Sequence, residues 1–100
     1  MRDEEEKYYP EVVHLEISDV FDLHSVPDRD VQGTVEAYLE EARNKGFSHV
    51  RLIHGKGIGT RREMVRRLLS RTCFVVSFED APLEAGGWGA TVATLSNKPQ

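Results

Sequence analysis

The run His54-Gly55-Lys56-Gly57-Ile58-Gly59-Thr60-Arg61-Arg62-Glu63 constrains this chain more than any other stretch, because three alternating glycines join a short apolar segment to a basic helical one. Residues 49–54 carry Val50, Leu52 and Ile53 and are too few for a helix, so they read as a buried strand. Behind the glycines, Met64, Val65, Leu68 and Leu69 recur at helical spacing to about Ser70. Thr60 and Glu63 have the spacing of a capping box and place the helix start. Glycines admit close backbone approach, the first-turn N–H groups lack intrahelical partners, and the helix dipole is positive there. A phosphate is the natural occupant. His54, at the rim, adds a group that titrates near neutral pH and points to proton transfer. The plain alternative is a glycine-rich turn that serves only the turn.

One hundred residues make one small domain, able to bury roughly 60–70% of the surface of its unfolded chain. Cys73, the single cysteine, has no intramolecular partner and is expected in the core. No apolar run approaches the roughly 20 residues of a membrane span, and the acidic start is unlike a signal peptide, so the expected compartment is the cytoplasm.

The net charge of −4 conceals a segregation. Between Met1 and Asp22 eight acidic residues stand against two basic ones, whereas between Arg51 and Arg71 seven basic residues meet only Glu63. A basic patch in an acidic chain is a candidate footprint for nucleic acid. The alternative is a solvated helix face whose arginines pair with the acidic N-terminus.

The remaining periodicity orders the elements. Val13, Leu15 and Ile17 alternate with polar residues as an edge strand in an acidic extension spanning residues 1–19, and residues 20–24 form a second extended run. A helix starts at residues 25–28 and carries Val31, Val35, Leu39 and Ala42 on one face to about Lys45, with Gly33 a weak point and Gly46 the terminator. Residues 74–78 form a third strand, 79–87 a Pro/Gly loop, and 89–95 a fourth strand, before a frayed tail at 96–100. Strand–helix–strand–helix–strand implies parallel neighbours with right-handed crossovers, then one antiparallel return. Asp22, His24, His54 and the Gly86-Gly87 turn then meet at the carboxyl edge of the sheet, where ligands of open α/β sheets bind. Asp22 and His24 lie two residues apart and share a side, so the carboxylate can position or charge the imidazole. A surface Asp and His capping the next helix is the alternative.

Asp22-Leu23-His24, His54-Gly55-Lys56-Gly57 with Gly59, and Gly86-Gly87-Trp88-Gly89-Ala90-Thr91 through Leu95 together resemble the Smr (small MutS-related) domain, in that order and spacing. The likeness spans residues 20–95. It implies an α/β, two-layer α+β sandwich with a four-stranded mixed sheet and two helices in the order βαβαββ, like the C-terminal domain of bacterial translation initiation factor three. The family also occurs fused to MutS2 proteins; this chain begins with Met and has no ATPase region, so it is expected to be a stand-alone member. The resemblance further implies endonuclease activity, nicking DNA or cleaving RNA, with Asp22, His24 and His54 as the functional centre. Two positions depart from the family pattern: Ser25 stands where glycine is usual after Asp-Leu-His, and Arg61 where an apolar residue is common. Arg61 either strengthens phosphate contacts or points to solvent. Lys56, Gly57 and Arg62 fit the pattern.

From the side chains, one histidine can withdraw a 2′-hydroxyl proton while the other protonates the leaving oxygen, with Asp22 holding an imidazole and Lys56 stabilising the phosphorane. On DNA, water attacks instead. Gly55, Lys56, Gly57, Gly59, Thr60, Arg61, Arg62, Arg66, Gly86, Gly87, Trp88 and Gly89 form the expected nucleic-acid surface. Trp88 either stacks on a base or serves the turn. No cofactor is expected; the competing reading is a divalent metal held by Asp22, His24 and His54. The expected protein is a monomer that meets DNA or RNA, including on the ribosome, and no membrane. A binding module without catalysis fits the same patch. Dinucleotide binding fits poorly, since the GxGxG sits after the second strand.

Overall fold

The computed structural model describes residues 17–57 and 59–96. The edge strand expected at residues 13–17 falls almost wholly outside them, as do residues 97–100 of the tail; Ser96 still donates its N–H to Phe74 O at 2.8 Å.

Four strands and two helices follow in the order β1 (Val20–Asp22), α1 (Asp28–Asn44), β2 (His49–Ile53), α2 (Thr60–Ser70), β3 (Val75–Asp80) and β4 (Ala90–Leu95), with two short 3₁₀ turns, Leu83–Ala85 and Gly87–Gly89, between β3 and β4. The sheet order is β1-β2-β4-β3, β1 running parallel to β2 and β4 antiparallel to both its neighbours. The expected mixed four-stranded α+β sandwich is therefore present, with one difference. β3 is not beside β2; β4 lies between them, because the short return from β3 brings the apolar Ala90, Ala93 and Leu95 into the centre of the sheet. β3 also runs on to Asp80, two residues past the expected end.

Proline and glycine bound α1. Pro27 is its N-cap in extended conformation, Asp28 and Asp30 sit in the dipole-positive first turn, and Arg43 in the last. At the other end Gly46, at φ 86°, donates to Arg43 O and Phe47 donates to Ala42 O, the paired bonds of a Schellman stop. The 3.6-residue period turns Val31, Val35, Tyr38, Leu39 and Ala42 inward. Tyr38 stacks on Phe21 of β1 with centroids 4.7 Å apart and donates its hydroxyl to Ser18 O at 2.6 Å. In α2, Val65, Leu68 and Leu69 are buried and Met64 partly so.

Both helices cover one sheet face. Alternation along β2 places Val50 and Leu52 there, and the register sets Leu52 opposite Thr91 and Val50 opposite Ala93 on β4. Cys73 does not join this core. It is exposed in the turn after α2, where its neighbour Phe74 takes the buried position. The expected capping box at Thr60 and Glu63 is also absent: Gly59, at φ 87°, is the N-cap, Thr60 is already helical, and no side chain caps α2. No helix among the described residues is long and apolar enough to cross a membrane.

Candidate nucleic-acid interface

Register alone assembles the site. Asp22 pairs with Ile53, Ile53 with Ala90, and Asp80 with Thr91, so the carboxyl ends of β1, β2 and β3 and the start of β4 share one edge. Leu23 N donates to Ile53 O at 2.9 Å, which brings the Asp22-Leu23-His24 segment directly beside the segment entering the glycine loop. The turn before β4 closes the other side. Gly89 O accepts from both His54 N (3.1 Å) and Gly55 N (2.8 Å), and a Cβ on Gly89 would lie 3.1 Å from Lys56 Cγ. A side chain here would have to displace the Lys56 stem, so glycine eases the close approach of the two loops.

Asp22 and His24 form an exposed dyad. His24 Nδ1 lies 3.0 Å from Asp22 Oδ1, and the same oxygen accepts the His24 backbone N–H at 2.9 Å. A carboxylate only accepts, so Nδ1 carries the proton and Nε2 is left to solvent on a side chain 81% exposed. These two bonds hold the Asp22 carboxyl below the usual carboxylate range, the backbone bond contributing most.

His54 is placed differently from the rim position its sequence implied. It continues the inward alternation of Val50 and Leu52, is buried, and has both ring nitrogens engaged, Nε2 with Thr91 Oγ1 at 2.8 Å and Nδ1 with Gly55 O at 3.1 Å. A carbonyl only accepts, so in the neutral ring Nδ1 donates to Gly55 and Nε2 accepts from the Thr91 hydroxyl. Burial pushes its pKa down, reinforced by the Arg62 and Arg66 cations against the opposing pull of the Gly55 carbonyl and Asp80. The buried His54 ring thus bonds the carbonyl of the residue that opens the glycine loop. Asp22 and Ile53 are in register while His54 is the next residue, so Asp22 and His54 issue toward opposite faces of the sheet. Among the described residues no three His, Cys, Asp or Glu side chains are grouped to hold a metal ion.

The glycine loop and the start of α2 line a cleft of about 460 Å³ bounded by Asp28, His54, Gly55, Lys56, Gly57, Gly59, Thr60 and Arg61. With no capping side chain, the first-turn donors of α2 are left open to an anion.

The basic residues divide. Arg61 turns inward, its Nη1 donating to Leu23 O at 2.6 Å, its Nη2 to Val26 O, and its Nε to Asp28 Oδ1 at 3.0 Å. It ties the start of α2 to the loop carrying His24. Arg62 and Arg66 converge on one oxygen of Asp80, at 2.6 and 3.2 Å, and Arg66 also reaches Thr91 Oγ1 at 3.4 Å. Among the described residues, the acid that meets Arg62 and Arg66 is therefore at the end of β3, and the acidic segment at residues 1–16 lies outside them. Arg62 lies over the Trp88 ring, 5.6 Å from its centroid, and Arg66 over Phe78 at 4.9 Å. Trp88 is 43% exposed, so its ring has one side on Arg62 and much of the rest in solvent. Asp80 escaped the sequence reading; an acid closing a strand beside an i, i+4 arginine pair was its only signal.

The Smr domain family model matches residues 21–96. Endonuclease MutS2 of Thermus thermophilus is 45% identical over 74 residues, which are 74% of this chain and 10% of that protein. Endonuclease MutS2 of Halalkalibacterium halodurans is 39% identical over 82 residues, with the same coverage. The chain thus spans about a tenth of the length of the curated relatives it matches. Among solved structures, the Smr domain of Thermus thermophilus MutS2 superposes with a TM-score of 0.73 at 42% identity, covering 80% of this chain and 98% of that one. YdaL, a stand-alone small MutS-related protein from Escherichia coli, gives 0.69 at 26% identity, covering 78% and 64%. Three motifs on one sheet edge, the βαβαββ order and the family match over three quarters of the sequence lead to one conclusion: the chain belongs to the Smr domain family.

Proposed function

We propose that this Smr domain binds nucleic acid along the carboxyl edge of its sheet and cleaves phosphodiester bonds without a metal, His24 being its proton-transfer group. The observation that carries the reading is the Asp22/His24 dyad. It presents an open imidazole nitrogen at the same sheet edge as the glycine loop, where the N-terminus of α2 lacks any capping side chain. The name endonuclease MutS2 borne by the matching proteins supports the same reaction class.

In this scheme a backbone phosphate lies over Lys56 and the first-turn N–H groups of α2, which neutralise the charge that develops on the phosphorane. His24 Nε2 removes the proton from the attacking oxygen, a 2′-hydroxyl in RNA or a water on DNA, as that oxygen bonds to phosphorus. The P–O bond to the leaving oxygen breaks, the leaving oxygen takes a proton from solvent, and the imidazolium returns its own to solvent. The Asp22 carboxylate, ionised at neutral pH, stabilises the resulting imidazolium. A positioned base of this kind contributes roughly 10²–10⁴ in rate. His54 shapes the loop without exchanging a proton.

The engaged state of His54 favours a second reading, a binding module without chemistry, because both of its ring nitrogens already have partners within the protein. Labelled single-stranded RNA, duplex DNA and branched DNA, incubated with and without EDTA, decide between them. His24→Ala is expected to lose at least about a hundredfold in cleavage with affinity unchanged, since a proton-transfer residue acts chiefly in the transition state. EDTA is expected to leave the wild type active. Binding with no cleavage above the His24→Ala background on any substrate would establish the module instead.

A further inference from the structure

Asp80 holds two arginines with a single oxygen. Arg62 Nη2 and Arg66 Nη1 both donate to Oδ1, at 2.6 and 3.2 Å, on a carboxylate whose side chain is 46% exposed. One carboxylate oxygen serves two guanidinium groups, and among the described residues Arg62 Nε is buried with no hydrogen-bond partner. The grouping is short of acceptors among the described residues. It borders an open cleft of about 340 Å³ lined by Arg62, Glu63, Arg66, Arg67 and Phe78, and Arg62 also underlies the half-exposed Trp88 ring.

We propose that Asp80 is a resident stand-in for a phosphate: a backbone phosphodiester of the bound nucleic acid competes with its carboxylate for Arg62 and Arg66, while a base stacks on Trp88. A phosphodiester shares one negative charge over two non-bridging oxygens and can give one to each guanidinium, where Asp80 gives both the same oxygen, and forked guanidinium groups suit it well. Until then the carboxylate holds both arginines in place, so they meet the phosphate already oriented. The cost of displacing it lowers affinity for short or misplaced ligands and makes Asp80 a specificity-determining residue. The inference rests on the nucleic-acid reading above and adds a second phosphate position to the one at the glycine loop.

Asp80→Asn tests it, removing the charge while keeping the shape. Freeing one phosphate contact is worth about fivefold at 0.15 M salt, taking a slope of about −0.9 per contact relative to 1 M, so a gain of about five- to thirtyfold on duplex DNA is expected. Glu79→Gln removes a charge from the neighbouring exposed residue on the same strand and controls for general electrostatics; it should change affinity less than about threefold. The gain should vanish when Arg62→Ala and Arg66→Ala are added to Asp80→Asn. Trp88, the only tryptophan, gives a second readout: its emission should change on binding in the wild type and at lower ligand concentration in Asp80→Asn. Binding by the wild type with no gain in Asp80→Asn over Glu79→Gln, or a gain that survives loss of both arginines, overturns the inference alone. Absence of binding by wild type and variant at low salt removes the nucleic-acid reading and this inference with it.

Discussion

Arg61→Ala should cost stability rather than nucleic-acid affinity. The guanidinium is 22% exposed and bonds to the carbonyls of Leu23 and Val26 and to Asp28, whose own side chain is 82% exposed. The Asp28 pair, in solvent, is worth at most about 1 kcal/mol. Each bond from a charged donor to a half-buried carbonyl contributes about 1.5–3 kcal/mol. Leu23 O also accepts Val26 N–H at 2.9 Å, so truncation does not orphan it and the lower end applies there. The total for Arg61→Ala is about 2–4 kcal/mol, against about 1 kcal/mol or less for Asp28→Asn. For a domain of this size, that lowers Tm by at least about 8 °C. Urea and thermal denaturation followed by circular dichroism measure the difference, and the salt slope of duplex binding measures the other half. A residue committed to carbonyls makes no phosphate contact, so the slope should stay at the wild-type value. The reasoning fails if Arg61→Ala falls within about 0.5 kcal/mol of wild type, if Asp28→Asn costs as much, or if the slope drops by about 0.9, one contact's worth.

Gly86→Ala forces a side chain into φ 120° with its Cβ 3.0 Å from that of buried Ala90, and should cost about 1–3 kcal/mol; Gly33→Ala, in open space on α1, should instead stabilise by up to about 1 kcal/mol, both read as Tm shifts. His54 makes folding pH-dependent in a defined direction. Its folded pKa lies below the unfolded value of about 6.5, so the unfolded chain binds the extra proton, and the contribution present above pH 6.5 is lost as pH falls through the folded value. Denaturation at pH 7 and pH 5 should show a smaller loss for His54→Gln than for wild type, and an equal loss would mean that His54 titrates alike in both states.

How far the sequence revealed this molecule depends on the range of each interaction. The strand at residues 49–53, the glycine loop and α2 were legible because apolar period and glycine chemistry are local. The stop at Gly46 was legible for the same reason. The capping box misled because Gly59, already left-handed, serves as N-cap and draws Thr60 into the helix. Cys73 misled because its apolar character says nothing about which of two adjacent residues, Cys73 or Phe74, faces inward. The role of Arg61 was out of reach, since its carbonyl partners lie 38 and 35 residues away. Asp80 was hidden by topology: it meets Arg62 and Arg66 only because β3 runs two residues past its apolar stretch, at the edge that α2 overhangs.

The same distinction changes what the basic segment means. Counted along the chain, residues 51–71 hold seven cations, and a footprint argument would credit all of them to nucleic acid. In the fold, Arg51 donates to Ala85 O, Arg61 clamps the His24 loop, and Arg62 and Arg66 are held by Asp80, which leaves Lys56, Arg67 and Arg71 as the exposed cations of the segment. Lys56 alone of these three stands on the glycine loop. On the proposed reading a phosphate meets Lys56 first, and the second contact becomes available only where the backbone reaches far enough to replace the Asp80 carboxylate. Affinity in such a site grows with the length and fit of the strand, and a single acid at the end of β3 sets the threshold.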